Sequence, residues 1–390
     1  MPTLIRVRVR GLGLVTSYGA GVDVALASLR QGKTGITPLS LFPVAFTDKI
    51  KVNQFDHELF PTNERGTEDL LVLAAREALA QSGVDVDKPA DDALRDCALV
   101  LGTSGFLFAA ETEYRRHLAA TGTISTPPLR AAGWFAARVA QRLGLAGPVI
   151  TLSTACSSSA NALLVAGDMI TRGEIARALV MGVEGLSSIT LTGFQSLMLL
   201  DPDGCRPFDA ERAGLQLGEG VGALMLETET DAHARGDFLR GGANLCDIHH
   251  VTSASPDGSA MRAVMEQALA TSAIAARDIR AIKAHGTGSE DNDIAEAAAM
   301  RALFGATPPP FTGLKRYLGH TLGACGAIET AAFLACVRAG FLPHTAGFSR
   351  ADAALKVQPL IASTPAGAGN YLFNFFGFGG NYAALVIAHD

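Results

Sequence analysis

The chain has 390 residues, 48% of them hydrophobic and 18% charged, with a net charge of −6 at pH 7. That apolar content can fill one large core or two fused halves, which excludes a disordered or fibrous chain. No basic run is long enough to grip nucleic acid, and glycine or charge interrupts every apolar run before it could span a membrane. In chain order, Met1-Pro2-Thr3-Leu4-Ile5-Arg6-Val7-Arg8-Val9-Arg10 alternates apolar and basic residues as an edge strand would, without the apolar core of a secretion signal. Thr67 as N-cap and Gly83 as stop bracket a helix over 68–81, with Leu70, Leu71, Leu73, Ala74 and Leu79 on one face. Residues 97–101, 178–181 and 221–226 read as buried strands, and 147–152 as a turn entering a short buried strand. Residues 160–170 carry apolar positions at helical spacing, and further helices are expected over 260–270 and 293–303. Residues 30–66 and 105–130 are richer in Pro, Gly and polar residues and are expected to be insertions or lids over one face.

This alternation predicts an α/β protein of two halves, 1–240 and 241–390, that share an interface. The six cysteines are far apart and form no CxxC pair, so neither a zinc site nor a disulfide framework is expected. A reducing, cytoplasmic compartment fits that pattern.

Four segments carry chemistry. Thr154-Ala155-Cys156-Ser157-Ser158-Ser159 places a cysteine among small residues between a strand and a helix. At such an elbow the sulfur lies near the positive end of the helix dipole, which lowers a thiol's pKa and favours the nucleophilic thiolate. The alternative at this point is an inert buried cysteine. His285 lies in Ala284-His285-Gly286-Thr287-Gly288-Ser289, and His320 in Leu318-Gly319-His320-Thr321-Leu322-Gly323. Glycines beside each imidazole allow close approach of a backbone amide or a substrate chain, whereas the other seven histidines read as structural or surface residues. Finally, Asn374-Phe375-Phe376-Gly377-Phe378-Gly379-Gly380-Asn381 can turn main-chain N–H groups toward an oxyanion, or simply close a hairpin.

Together these segments resemble the elongating β-ketoacyl-acyl carrier protein synthases of the thiolase superfamily. The resemblance rests on Thr154–Ser158, on His285-Gly286-Thr287-Gly288, on Lys315 with Gly319-His320-Thr321-Leu322-Gly323-Ala324, and on Gly377-Phe378-Gly379-Gly380. Arg206-Pro207-Phe208-Asp209, Gly218-Glu219-Gly220 and Gly11-Leu12-Gly13 extend it over nearly the whole chain, in family order. It implies a thiolase-like five-layered α-β-α-β-α fold, with the nucleophile in the first half and both histidines in the second. Cys156 would accept the acyl group, with the amides of Cys156 and Phe378 as oxyanion hole. His285 and His320 would hydrogen-bond the malonyl thioester oxygen during decarboxylation. Lys315 would shape the electrostatics of His320, and Glu329 would bind Lys315 or a structural cation. Thr287 and Ser289 would hold pantetheine amides, Phe376 and Phe378 would gate the acyl pocket, and Phe106 and Phe108 would bound it at the dimer interface, unless they simply pack the core.

The implied partners are an acyl carrier protein, docked through Arg206 (with Arg65, Arg115 and Arg116 as weaker candidates), and a second ketosynthase-like chain. That second chain would be an identical copy or a chain-length factor. No metal or redox cofactor is implied, because acyl and malonyl groups arrive on the carrier's phosphopantetheine.

The chain departs from housekeeping relatives in three places. Ser289-Glu290-Asp291 stands where they carry threonine and proline, Phe375 replaces a small serine, and Phe106 and Phe108 are bulky. These departures point to a specialised aryl-polyene or type II polyketide pathway rather than housekeeping fatty-acid elongation. A silent partner subunit would lack the nucleophile. Iodoacetamide at neutral pH should therefore alkylate Cys156 selectively and abolish condensation, whereas no preference for Cys156 would mark a silent subunit.

Overall fold

The computed structural model describes residues 5–44, 50–87, 92–124 and 130–390. Residues 1–4 of the chain start, and 45–49 and 125–129 of the two expected lids, lie outside the described residues. Ten strands form the main sheet path: β1 (Arg6–Thr16), β2 (Cys97–Gly102), β3 (Val149–Leu152), β4 (Arg177–Glu184), β5 (Gly220–Glu229), β6 (Asp237–Cys246), β7 (Ile279–Ala284), β8 (Phe311–Gly313), β9 (Gly369–Phe376) and β10 (Asn381–His389). Their spatial order is β3-β2-β4-β5-β1, then β6-β10-β9-β7-β8.

Numbered within its own half, each set of five runs 3-2-4-5-1. The pairing senses repeat as well. β2 is parallel to β3 and β4, and β7 is parallel to β8 and β9. The remaining pairs, β4–β5–β1 and β9–β10–β6, are antiparallel. One topology is thus used twice, and the change-over falls between Glu229 and Asp237, a few residues before the opening near Gly241 expected from the sequence.

The halves meet where β1 pairs with β6 over Val7–Val9, so β1 is flanked on both sides. The expected edge strand is therefore an interior one; its basic residues find carboxylates on β5, Arg8 with Glu229 at 2.9 Å and Arg10 with Glu227 at 3.3 Å. The true edge is β3, which was expected to be buried but is half-exposed, with Val149 40% accessible. The segment 105–130 is not a lid of loops either, since most of it is the helix Leu107–Thr121.

Helices complete the layers: α1 (Val22–Arg30), α2 (Glu64–Gln81), α3 (Leu107–Thr121), α4 (Ala132–Leu143), α5 (Ser158–Thr171), α6 (Ser188–Ser196), α7 (Ser259–Thr271), α8 (Glu290–Phe304) and α9 (Cys325–Arg338). α2 begins a turn earlier than expected because Asn63, not Thr67, caps it by accepting the Gly66 N–H at 2.8 Å. α2 and α4 cover the outer face of the first half-sheet, α7 and α8 cover that of the second, and α5 and α9 fill the space between. Successive strand residues serve different cores, as their alternation requires. Leu224 and Phe373 point to the central cluster with Leu163 and Ile328, Met225 to α2, and Leu372 to α7. The result is a five-layered α-β-α-β-α, thiolase-like fold. Strands buried on both faces explain the unbroken apolar runs of β4 and β5. Among the described residues no helix is long and apolar enough to cross a membrane.

The two central helices touch backbone to backbone. A β-carbon at Gly326 of α9 would overlap the amide nitrogen of Ala160 on α5. Gly326→Ala should cost about 3 kcal/mol or more by overpacking. Gly133→Ala, at an open position on α4, should instead stabilise by up to about 1 kcal/mol. Denaturant melts of the two variants read out these opposite signs.

Candidate active site

The crossing of α5 and α9 decides where the reactive groups meet, because Cys156 lies just before α5 and His320 just before α9. At the elbow Ala155 takes φ +52, a conformation that non-glycine residues seldom adopt and that marks a functional turn. Its neighbours hold it there. The Ser158 hydroxyl donates to the Ala155 carbonyl at 2.6 Å and accepts the Thr154 N–H at 2.9 Å, while Ser157 donates to the Thr154 carbonyl at 2.8 Å. The Ser159 hydroxyl donates to the Gly323 carbonyl at 2.7 Å and accepts the Ala327 N–H at 2.9 Å, which ties the elbow to the His320 loop. Beneath it, the Cys325 thiol donates to the Cys156 carbonyl at 2.9 Å.

His285 leaves the end of β7. The Glu296 carboxylate on α8 accepts the His285 and Gly286 N–H groups, both at 2.8 Å, and the Asn374 amide at 3.1 Å. His320 donates its backbone N–H to the Gln216 carbonyl at 2.6 Å. The two rings lie edge to face, 5.4 Å between centroids, with Phe376 5.8 Å from His285. Each Nδ1 is buried without a hydrogen-bond partner among the described residues. Burial, with the Lys315 and Lys283 ammoniums, holds both imidazoles well below the ordinary histidine pKa, so both are neutral at neutral pH.

Cys156, His285 and His320 line one solvent-connected cleft of about 580 Å³, whose walls include Thr287, Ser289, Phe376 and Phe378. The backbone N–H groups of Cys156 and Phe378 both bear on the Cys156 sulfur, so two main-chain donors lie beside the atom that would carry an acyl group. Close approach demands glycine at 377, since a β-carbon there would lie 2.9 Å from the Cys156 nitrogen. Phe378 stacks on Phe194 of α6 at 5.5 Å, and Thr287 and Ser289 share a 2.9 Å hydroxyl–hydroxyl hydrogen bond.

The chain is recognisable from these parts and their order. Residues 5–232 match the N-terminal domain of β-ketoacyl synthase, and residues 238–349 match the C-terminal domain. The chain belongs to the β-ketoacyl synthase family. It is 30% identical to the chloroplastic 3-oxoacyl-[acyl-carrier-protein] synthase II of Arabidopsis thaliana, over 98% of this chain and 75% of that one. It is 32% identical to nodulation protein E of Rhizobium sp. (strain N33), over 92% of each. The solved ishigamide ketosynthase/chain length factor superposes over 99% of each chain with a TM-score of 0.87 at 27% identity. The synthase is accordingly an acyltransferase of the condensing type.

Several expectations need correcting. Burial pushes the Cys156 thiol up to about 11, outweighing the pull of Lys315 and of the Phe378 N–H. The elbow does not by itself present a thiolate. Phe106 and Phe108 stand away from this cleft. Phe106 stacks on Phe135 at 4.0 Å beside a separate cavity, and the first turn of α3 aims Phe108 inward over Gly185. Arg206 is bonded to Glu211 at 3.2 Å, Arg65 to Asp69 at 3.3 Å, Arg115 to Glu111 at 2.6 Å, and Arg116 to Glu113. Such surface pairs are weak and exchangeable.

Lys315 is fully buried against Glu329 of α9. Burial pulls its pKa down, but Glu329 prevails and holds it at about 12. Two groups escaped the sequence reading: Lys283, buried on the same Glu329 at 2.7 Å, and Glu296. The signal available for them was a charged residue in an otherwise apolar run two residues before His285, and another in the alanine-rich helix after it. His250, read as structural, forms part of the cleft wall.

Because the free thiol sits high, alkylation of Cys156 should keep accelerating above neutral pH and level off only near the pKa of about 11. Cys246 is exposed and will label too, so the selective neutral-pH alkylation of Cys156 expected from the sequence does not hold, and peptide mapping with loss of condensation must report on Cys156. A plateau near neutral pH would reveal a pre-formed thiolate.

Proposed function

We propose that the chain condenses an acyl group held on Cys156 with malonyl-acyl carrier protein, losing carbon dioxide and releasing a 3-ketoacyl thioester. The observation that carries this reading is the convergence of Cys156, both neutral imidazoles and two backbone N–H groups on one cleft. In the first half-reaction the sulfur attacks the acyl thioester. A bond from Cys156 Sγ to the acyl carbon forms, and the carbon–sulfur bond to pantetheine breaks. With a thiol near 11, the proton must leave as attack begins, and a neutral imidazole lining the same cleft accepts it and returns it to the departing pantetheine sulfur.

In the second half-reaction the malonyl carboxylate leaves as carbon dioxide and its electron pair becomes an enolate. The N–H donors of His285 and His320 stabilise the enolate oxygen, whose charge grows as the barrier is climbed. The enolate carbon attacks the acyl-cysteine, the Cys156 and Phe378 N–H groups receive the oxyanion, and the Cys156 sulfur is expelled. A neutral imidazole suits both roles, having one N–H and one lone pair. No metal or redox cofactor enters these steps, and substrates arrive on phosphopantetheine, with Thr287 and Ser289 placed to meet its amides.

The carrier protein is acidic, so Arg206 is its proposed landing residue, with Arg65, Arg115 and Arg116 as weaker candidates. The half-exposed edge strand β3, with Val149 40% accessible, favours a second ketosynthase-like chain there, an identical copy or a chain-length factor. A cytoplasmic location agrees with six unpaired cysteines. The aromatic wall of Phe194, Phe376 and Phe378 favours flat, unsaturated chains and hence a specialised aryl-polyene or polyketide pathway.

Matched saturated and polyenoyl carrier-protein substrates test the pathway: polyenoyl chains should be used several-fold faster, and equal or better use of saturated chains would sink it. Cys156→Ala should abolish acyl transfer while leaving malonyl decarboxylation measurable, which checks the assignment of the nucleophile.

A further inference from the structure

Lys283 and Lys315 are both fully buried, and both direct their ammonium at the single carboxylate of Glu329. Buried charge is costly unless it is matched, so a second lysine on one carboxylate calls for a reason. The family resemblance gives Lys315 a role beside His320 and gives Lys283 none. The Lys283 Nζ donates to Glu329 Oε2 at 2.7 Å and to the Asn374 carbonyl at 2.7 Å, and it lies 3.7 Å from the centroid of the Phe375 ring. All three partners are electron-rich acceptors, so the seat is shaped for an ammonium and not for a neutral amine. Phe375, one of the chain's departures from its relatives, thereby acquires a purpose as the floor of that seat.

The charge count extends to the histidines. Glu296 on α8 accepts the His285 backbone N–H, and Glu184 on β4 lies near Cys156. Burial raises the pKa of Glu184 to about 8, which leaves it largely neutral at pH 7. The charged groups around the imidazoles are then Lys315 from the short turn before His320, Lys283 from β7, Glu329 from α9, and Glu296 with Asp293 from α8. Burial lowers the Lys283 pKa and raises that of Glu296, opposed by the Glu329 carboxylate at Lys283 and by the Gly286, Asn374 and His285 donors at Glu296. Burial likewise raises Asp293 to about 6, and Arg212 faces it. Cys325 and Cys156 are thiols. Ionised as these hydrogen bonds favour, the Lys315 and Lys283 ammoniums balance the Glu329 and Glu296 carboxylates. Without Lys283 the balance would tip to a net negative charge, which favours imidazolium.

We propose that Lys283, seated on Phe375, is a positioning residue of the condensation: it balances Glu296 so that His285 and His320 stay uncharged, and it pins Asn374 on the strand leading into the Gly377–Gly380 turn. This rests on the condensing role proposed above. Burial comes first in depressing both imidazoles, and Lys283 adds to it in each.

The test is a pH titration of histidine-labelled full-length protein by NMR, with His285→Gln and His320→Gln for assignment, beside the pH profile of acyl transfer. In wild type both imidazoles should stay neutral to well below the ordinary value of about 6.5. Lys283→Met, and Lys283→Gln, which keeps hydrogen-bonding capacity but not charge, should raise at least one imidazole by about one unit. The acid limb of acyl transfer should move up with it, a loss of about tenfold at low pH that fades at high pH. Lys283→Met/Glu329→Gln restores the balance and should return the titration toward wild type. Unchanged imidazole titrations in both single variants, with only a lower melting temperature, would overturn the proposal. So would wild-type imidazoles that titrate at the ordinary value, which covers the case in which neither variant folds. If wild type condenses nothing, the functional reading falls, while the NMR titration still decides the role of Lys283.

Discussion

The backbone contact between α5 and α9 is the constraint on which the rest depends. Gly326 lies against Ala160, and the Ser159 hydroxyl stitches the two helices at Gly323 and Ala327. With the helices held this closely, their N-terminal ends share one location. One end carries Cys156 and the other His320. The same contact fills the middle layer between two half-sheets, so core packing and site assembly are one event. A methyl group in that crossing would separate both at once.

The repeated strand order explains why the site takes this form. In each half the central helix follows the third strand and precedes the fourth, so α5 and α9 occupy equivalent places. Each half therefore supplies one helix start to the shared centre, and the equivalent positions have diverged: a thiol in one, an imidazole in the other. His285 comes from the end of the second strand of its half, and the turn after the fourth strand presents Phe378. The helices and strands at the centre are buried on every side, which gives the geometry its rigidity.

Burial also sets the electrostatics. The dry site pushes the thiol up and the imidazoles down, the opposite of a pre-ionised Cys–His pair. Neutral groups wait, and charge appears only when substrate brings it. The lysines on Glu329 fit this scheme because they add fixed positive charge without entering the cleft. Their cost in desolvation is offset in part by their hydrogen bonds to Glu329 and, for Lys283, to the Asn374 carbonyl.

Much of this was legible in the linear order of residues. The elbow around Cys156, the glycine-flanked histidines and the hairpin at 377–380 are local signals, carried by small residues where a backbone must turn or approach closely. So were the long helices and buried strands, whose periodicity is local as well. The positions of β1 and β3 were not, because interior and edge strands differ only in what pairs beside them: β1 gained a neighbour from the other half, and β3 gained none. Phe106 and Phe108 likewise owe their setting to the start of α3, which packs them against the Phe135 side of the core within the chain. The sequence by itself determined which residue types could do the chemistry and that two α/β halves would hold them. Only the tertiary structure decided that Lys283 shares Glu329 with Lys315, that Glu296 grips His285, and that the Cys156 thiol is raised rather than lowered. Desolvation and charge balance are sums over every neighbour in space, and chain order does not contain them.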